Sequence, residues 1–220
     1  MKKIKEEIIF KFWQMEGNLN HKKKCSYSFK KRLPTLICLI YQIYFYNENV
    51  VIETSNFFKK FLLVSYLGIY SSNCGDTWSS EVGILSKSEP FHILTWKPVP
   101  YGTNGGVSKL GILASLTAGI CLGLITSIAM FFTTELKIQT FLLIMLISTF
   151  SSVFGSILDS ILGSLFEYSG YCTEKKKIVK VKTKTTKDIS GSNILSGDAV
   201  NFISGTIIGI FVGLLMKIYQ

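Results

Sequence analysis

With 220 residues, 48% of them hydrophobic and only 17% charged, the chain has the length of one domain. Its charge is too low for an ordinary soluble domain, in which about a quarter of residues are charged. The charged residues cluster between long uncharged runs, which excludes a disordered chain, a collagen-like or coiled-coil repeat and a disulfide-stapled module. The formal net charge of +10 lies in polar segments flanking apolar ones, a topology signal rather than the footprint of a nucleic acid, so no nucleic-acid partner is expected.

Residues 1–32 form a basic segment with ten Lys/Arg, within which Ile4 to Trp13 can make a short interfacial helix. No apolar core with a small-residue cleavage site is present there, so no cleaved secretory signal is expected. The rest, 33–220, reads as a transmembrane domain with apolar runs near 33–46, 57–72, 107–132, 138–166 and 199–218. About twenty apolar residues are wanted to cross the hydrocarbon. The first run is short for that, while the third and fourth are long enough without help. The expected fold class is all-α, a polytopic integral membrane helical bundle of about five transmembrane helices. With alternating crossings, the basic segment and the loops 73–106 and 167–198 share one side. They hold ten, two and seven of the 24 Lys/Arg, and the positive-inside rule makes that side cytoplasmic. Five cysteines, at 25, 38, 74, 121 and 172, include no CxxC pair and offer no zinc spacing.

The last three runs carry stripes of small residues at four-residue spacing. They are Gly111, Ser115, Gly119, Gly123 and Ser127; Ser148, Ser152, Ser156, Ser160 and Ser164; and Asn201, Gly205, Gly209 and Gly213. Residues at i and i+4 share a helix face, and small faces let backbones approach closely in lipid. The stripes therefore imply a tightly packed bundle, and no chemistry by themselves.

Polar residues then appear where a membrane disfavours them. Asp159 lies eight residues before Glu167, roughly 12 Å inside the end of its span at 1.5 Å per residue. A carboxylate at that depth is a functional hypothesis by default, costing about 3 kcal/mol or more unless paired or wetted. After the second run, Asn73-Cys-Gly-Asp-Thr-Trp-Ser-Ser-Glu81 reads as a loop carrying Asp76 and Glu81. Together with Asp159 these can supply the oxygen ligands a hard cation such as Mg2+ takes alongside substrate phosphates. The run Gly102-Thr103-Asn104-Gly105-Gly106, followed by Lys109 at a helix start, reads either as an anion cradle or as a plain turn. Its spacing is not that of a P-loop. Asp198 and Asn201 open the last span on the same side, where Asp198 can also act as a helix cap. Acids for a cation, amides for an anion and lipid-facing walls suggest a phosphorylated, membrane-embedded substrate.

Four ordered stretches, GDTWSSEVGILSKS, TWKPVPYGTNGGV, GSILDSILGSLFEYSG and ISG followed by DAVNFIS, resemble the transmembrane protein 19 family. That family belongs to the wider integral membrane family once called domain of unknown function 92. The likeness covers about residues 66–218, with a fainter match from Lys30. Phe91 stands where the family usually has Arg, and Glu167 where it usually has Gln. Members usually carry further hydrophobic spans ahead of the equivalent of Lys30, so a truncated or divergent form is expected. The wider family includes the plant phytyl-phosphate kinase. The resemblance therefore implies phosphoryl transfer from a nucleoside triphosphate to a prenyl phosphate at the cytoplasmic face. Asp76, Glu81 and Asp159 would hold Mg2+, Gly102–Gly106 and Lys109 the nucleotide phosphates, and Asp198 and Asn201 would orient the substrate. The alternatives are a non-enzymatic transporter or lipid-binding protein, suited by a buried aspartate among small residues, and a catalytically inactive member.

Overall fold

A computed structural model describes residues 56–132, 136–174 and 176–218. The basic segment 1–32 and the apolar run near 33–46 lie outside the described residues. Four helices dominate the described chain: α1 Phe57–Gly83, α2 Lys109–Phe131, α3 Ile138–Phe166 and α4 Gly197–Leu215. Asn56, Ser108 and Ser196 start α1, α2 and α4, their side-chain oxygens accepting from the amides of Lys59, Gly111 and Ala199. Each such cap satisfies one of the N–H groups that a helix start leaves open.

Helices α2, α3 and α4 are long and apolar enough to cross a membrane. Their 23, 29 and 19 residues span about 35, 43 and 28 Å, against a hydrocarbon core of about 30 Å. Leu113, Ile125, Leu142, Leu146 and Phe211 stand exposed on them, as lipid-facing side chains do. Helix α1 is different. It packs against each of the other three, and Ser65, Ser71 and Ser72 on it are buried. Its central place explains how it keeps a polar sequence inside a membrane bundle. The span expected at 57–72 also continues to Gly83, so the stretch Asn73–Glu81 is helical and not a loop. Nothing in that stretch breaks a helix except Gly75, and Gly75 rests against the Ser152 backbone of α3.

The small-residue stripes are the helix contacts. A Cβ on Gly75 would lie 2.4 Å from the Ser152 carbonyl oxygen, one on Gly155 2.8 Å from Ser72 Cα, one on Gly119 2.7 Å from Thr149 Cα, and one on Gly209 2.9 Å from the Ser65 carbonyl oxygen. Backbone thus meets backbone along α1–α3, α2–α3 and α1–α4. The Ser152 hydroxyl adds a bond across one of these seams, donating to the Ser115 carbonyl at 2.6 Å; such bonds average about 0.6 kcal/mol in membrane bundles. Val64, Leu67, Met130, Ile144, Ile147, Val212 and Met216 form an apolar core toward the end where α1 and α3 begin.

The opposite end carries the long connections. There α1 and α3 finish and α2 and α4 start. Between α1 and α2, β1 (Phe91–His92) pairs antiparallel with β2 (Gly106–Val107). Between α3 and α4 lies a three-stranded antiparallel sheet in the order β4-β3-β5, made of β3 (Ser169–Cys172), β4 (Lys177–Val179) and β5 (Thr186–Ser190). The two connections touch, as Asn104 Nδ2 donates to the carbonyls of Glu167 and Tyr168, both at 3.3 Å. The loops expected to share one side therefore share one end of the bundle.

Candidate functional site

The Ser72–Gly155 contact gives the site its geometry. Helices α1 and α3 both run toward the loop-bearing end, and Asp76 and Asp159 each lie four residues beyond that contact on their own helix. Residues i and i+4 share a face, so the two aspartates project one turn further along the same seam. Both are partly buried. Helix α4 closes the seam. The Ser204 hydroxyl donates to Asp159 Oδ1 at 3.0 Å and also contacts the Asn201 carbonyl at 3.2 Å. On α1, Asn73 faces the same helix, where a Cβ on Gly205 would lie 3.3 Å from its Oδ1. Asn201 precedes Ser204 and Gly205 by three and four residues and shares their face, as does Asp198 one turn earlier.

Asp159 and Ser204 thus meet between α3 and α4, Asn73 meets α4 at Gly205, and helical spacing puts Asp76 and Asn201 on the faces of α1 and α4 nearest them. Sequence reasoning names three of these and misses Asn73 and Ser204. Asn73 is missed because the stretch reads as a loop. Ser204 is missed although it lies three residues after Asn201, a spacing that puts it on the same face.

Glu81 does not join the seam. It lies nine residues after Ser72, half a turn out of phase at 100° per residue, and it is exposed. Grouping it with Asp76 and Asp159 holds for a flexible loop but fails for a helix. Among the described residues no three His, Cys, Asp or Glu side chains cluster as a metal site. The donor set that remains, two carboxylates with neighbouring amide side chains, suits Mg2+, which takes one or two protein carboxylates plus phosphate oxygens.

The glycine run is a structural turn with little spare capacity for an anion. Gly102 and Gly105 have φ of 84° and 79°, a left-handed backbone that favours glycine. A Cβ on Gly105 would lie 2.3 Å from Ser164 Cβ, so the turn rests directly on α3. Three amides in the run are already engaged: Thr103 N–H donates to the Pro100 carbonyl, Asn104 N–H to Ser169 Oγ and Gly106 N–H to the Thr103 carbonyl. The Asn104 carbonyl accepts from Ser190 Oγ at 2.9 Å. Thr103 is buried, its hydroxyl donating to Pro100 at 2.7 Å. Only the amides of Gly102 and Gly105 are left to serve an anion, beside the exposed Lys109 on the first turn of α2.

Asp198 sits in the first turn of α4, where its charge complements the helix dipole; the cap itself is Ser196. The carboxylate of Glu167 lies against this helix start, 3.0 Å from where a Cβ on Gly197 would stand, and pairs with Lys180 Nζ at 2.5 Å. On the sheet, Lys182 and Tyr168 both hydrogen-bond Asp188. The Lys182 ammonium, and after it the Tyr168 hydroxyl, hold this carboxyl below its ordinary range. Phe91, at the position where the resemblance leads one to expect arginine, stacks on Trp96 with ring centroids 5.1 Å apart.

Lipid-facing helices closed by small-residue seams define a multi-pass integral membrane protein. Residues 30–209 match the model of the family described as integral membrane protein DUF92, and the chain belongs to that family. Protein PGR of Arabidopsis thaliana is 40% identical over 146 residues, 65% of this chain and 51% of that protein. An uncharacterized membrane protein of Synechocystis is 41% identical over 64 residues, 29% of this chain and 25% of its own. One of Methanocaldococcus jannaschii is 37% identical over 62 residues, 28% of this chain and 26% of its own. The chain thus spans about half the length of the plant relative and about a quarter of the other two. No solved structure matches.

Proposed function

We propose that the protein transfers a phosphoryl group from a nucleoside triphosphate to an isoprenoid monophosphate at the loop-bearing end of its bundle. The observation that carries this reading is the Ser204 hydroxyl bound to Asp159 at 3.0 Å between α4 and α3, with Asp76 four residues beyond the Ser72–Gly155 contact on the helix packed against both. A carboxylate inside a membrane-crossing helix, as Asp159 is, is a functional hypothesis by default, and phosphoryl transfer asks a protein mainly for positioning and charge neutralisation. A phosphate oxygen of the lipid forms the new P–O bond as the terminal phosphoryl group leaves the nucleoside diphosphate. Asp76 and Asp159 would hold Mg2+, which when bound neutralises charge on the phosphate oxygens. Ser204 fixes the rotamer of Asp159, Asn201 and Asp198 orient the lipid phosphate, and Lys109 with the amides of Gly102 and Gly105 receives the nucleotide. Glu81 has no part.

The backbone contacts at Gly75, Gly119, Gly155 and Gly209 favour this reading over a transporter. They leave no room for a Cβ between the described helices, directly below the polar residues at Gly75 and Gly155 and further along at Gly119 and Gly209. The test incubates purified protein in lipid nanodiscs with prenyl monophosphates, Mg2+ and each nucleoside triphosphate in turn. Diphosphate product is expected, and Asp159→Asn is expected to abolish it while remaining inserted and folded. Absence of product with every nucleotide, or full turnover by Asp159→Asn, overturns the proposal.

A further inference from the structure

The connection between α1 and α2 carries large apolar side chains that the bundle does not cover. Ile84 and Leu85 are 61% and 73% exposed, Leu94 46%, Trp96 75% and Tyr101 40%. This connection is nonetheless well built. Tyr101 Oη donates to the Ser86 carbonyl at 2.9 Å, which ties Tyr101 to the Ile84–Leu85 turn. Trp96 has φ of 56°, a left-handed conformation uncommon for a bulky residue and kept only where surroundings enforce it. Here its amide donates to the His92 carbonyl at 2.8 Å and its ring lies nearly parallel to Phe91, at 5°. A tryptophan is thus held, by strain and stacking, on the outside of an ordered loop.

We infer that this connection, residues 84–101, is a membrane-interface anchor that lies in the headgroup region beside the bundle end. Its place in the chain sets that depth, because it follows Gly83 at the end of α1 and stands eight residues ahead of Lys109, where the membrane-crossing α2 starts. The first turns of α2, into which the connection leads, are also apolar and exposed, Ile112 and Leu113 being 38% and 55% exposed. Exposed Lys87, Lys97 and Lys109 flank them, in the arrangement that favours anionic headgroups. Tryptophan and tyrosine are the residues enriched at this level, since their rings are apolar at one end and polar at the other. The inference does not depend on the proposed phosphoryl transfer.

The test uses the full chain with Trp13→Phe and Trp78→Phe, so that Trp96 alone emits, reconstituted in vesicles of phosphatidylcholine and phosphatidylglycerol. Expected are blue-shifted emission, strong quenching by lipids brominated near the head of the acyl chain, weak quenching by lipids brominated near its end, and protection from aqueous iodide. Emission like that of tryptophan in water, quenched by iodide and indifferent to brominated lipid, overturns the anchor. So does a Trp96 signal that responds to nucleoside triphosphate and not to lipid, which would make the Phe91–Trp96 stack a base platform. Leu85→Cys carrying a polarity-sensitive dye, in a background without the other cysteines, reads the same question from the Tyr101 side of the loop. A water-like dye spectrum there also contradicts the anchor.

Discussion

Replacing Gly155 by alanine places a methyl group at the contact that sets the register of α1 and α3. The added Cβ falls 2.8 Å from Ser72 Cα and 2.6 Å from Ser72 Cβ. Ordinary contact begins at 3.4 Å, so even if the Ser72 hydroxyl rotates away, the helices must part by about 0.8 Å (3.4 less 2.6, the distance to Ser72 Cβ). Overpacking of this kind costs about 1–3 kcal/mol. Gly163, eight residues along the same helix, is the internal control, because its Cβ would meet nothing nearer than Asn104 Cβ at 3.9 Å. Both substitutions gain about 1 kcal/mol of helix propensity, so the difference between them isolates the contact. At roughly 2–4 °C per kcal/mol for a chain of this size, Gly155→Ala should melt several degrees below Gly163→Ala in the same nanodiscs. The unfolding can be followed by loss of helical circular dichroism. Equal melting temperatures, or a more stable Gly155→Ala, would refute the close approach of α1 and α3.

Gly105→Ala should destabilise far more than Gly102→Ala. Both need left-handed backbone, which costs about 1–2 kcal/mol, but only the Gly105 methyl collides with α3, the nearest atom to a Gly102 Cβ being 4.0 Å away; the same melting assay ranks them. Asn104→Ala removes the donor bridging the two connections and should cost about 1 kcal/mol, with faster hydrogen exchange in β3 and in 102–106 and none in α2. Acid should loosen the three-stranded sheet. Asp188 is held below its ordinary value by Lys182 and then Tyr168. Its contribution is therefore full above the unfolded carboxyl value of about 3.9 and lost as pH falls through the folded one. Hydrogen exchange in β5 should accelerate only in that acidic window, and Asp188→Asn should remove the dependence.

Much of the bundle is legible in the chain because its signals are periodic. The four-residue stripes in α2, α3 and α4 are the observed contact faces, and Asp159 stands out as a lone charge in a long apolar run. Legibility ends where polarity has two explanations. The stretch Asn73–Glu81 looks like a loop by hydropathy, yet it is the last turns of a helix, packed on its Gly75 face and exposed at Thr77, Trp78, Ser80 and Glu81. That misreading put Glu81 with the aspartates, since a flexible loop lets side chains five residues apart converge while a helix turns them about 140° apart. The glycine run shows the opposite failure. Its composition offers a turn or an anion cradle, but Ser169 and Ser190, which engage the Asn104 amide and carbonyl, are brought there by tertiary structure. The strands between α3 and α4 are short and set in a lysine-rich segment, and Tyr168 and Asn104 tie them down through bonds to Asp188 and Ser169 that no local pattern announces.

The central claim is that Asp76 and Asp159 face each other across one seam while Glu81 faces away. Paired cysteines test this directly in an otherwise cysteine-free chain, using short bis-thiosulfonate reagents on protein in nanodiscs. The geometry predicts efficient cross-linking of Asp76→Cys with Asp159→Cys and little of Glu81→Cys with Asp159→Cys. Cross-linking of the Glu81 pair in preference to the Asp76 pair would contradict it.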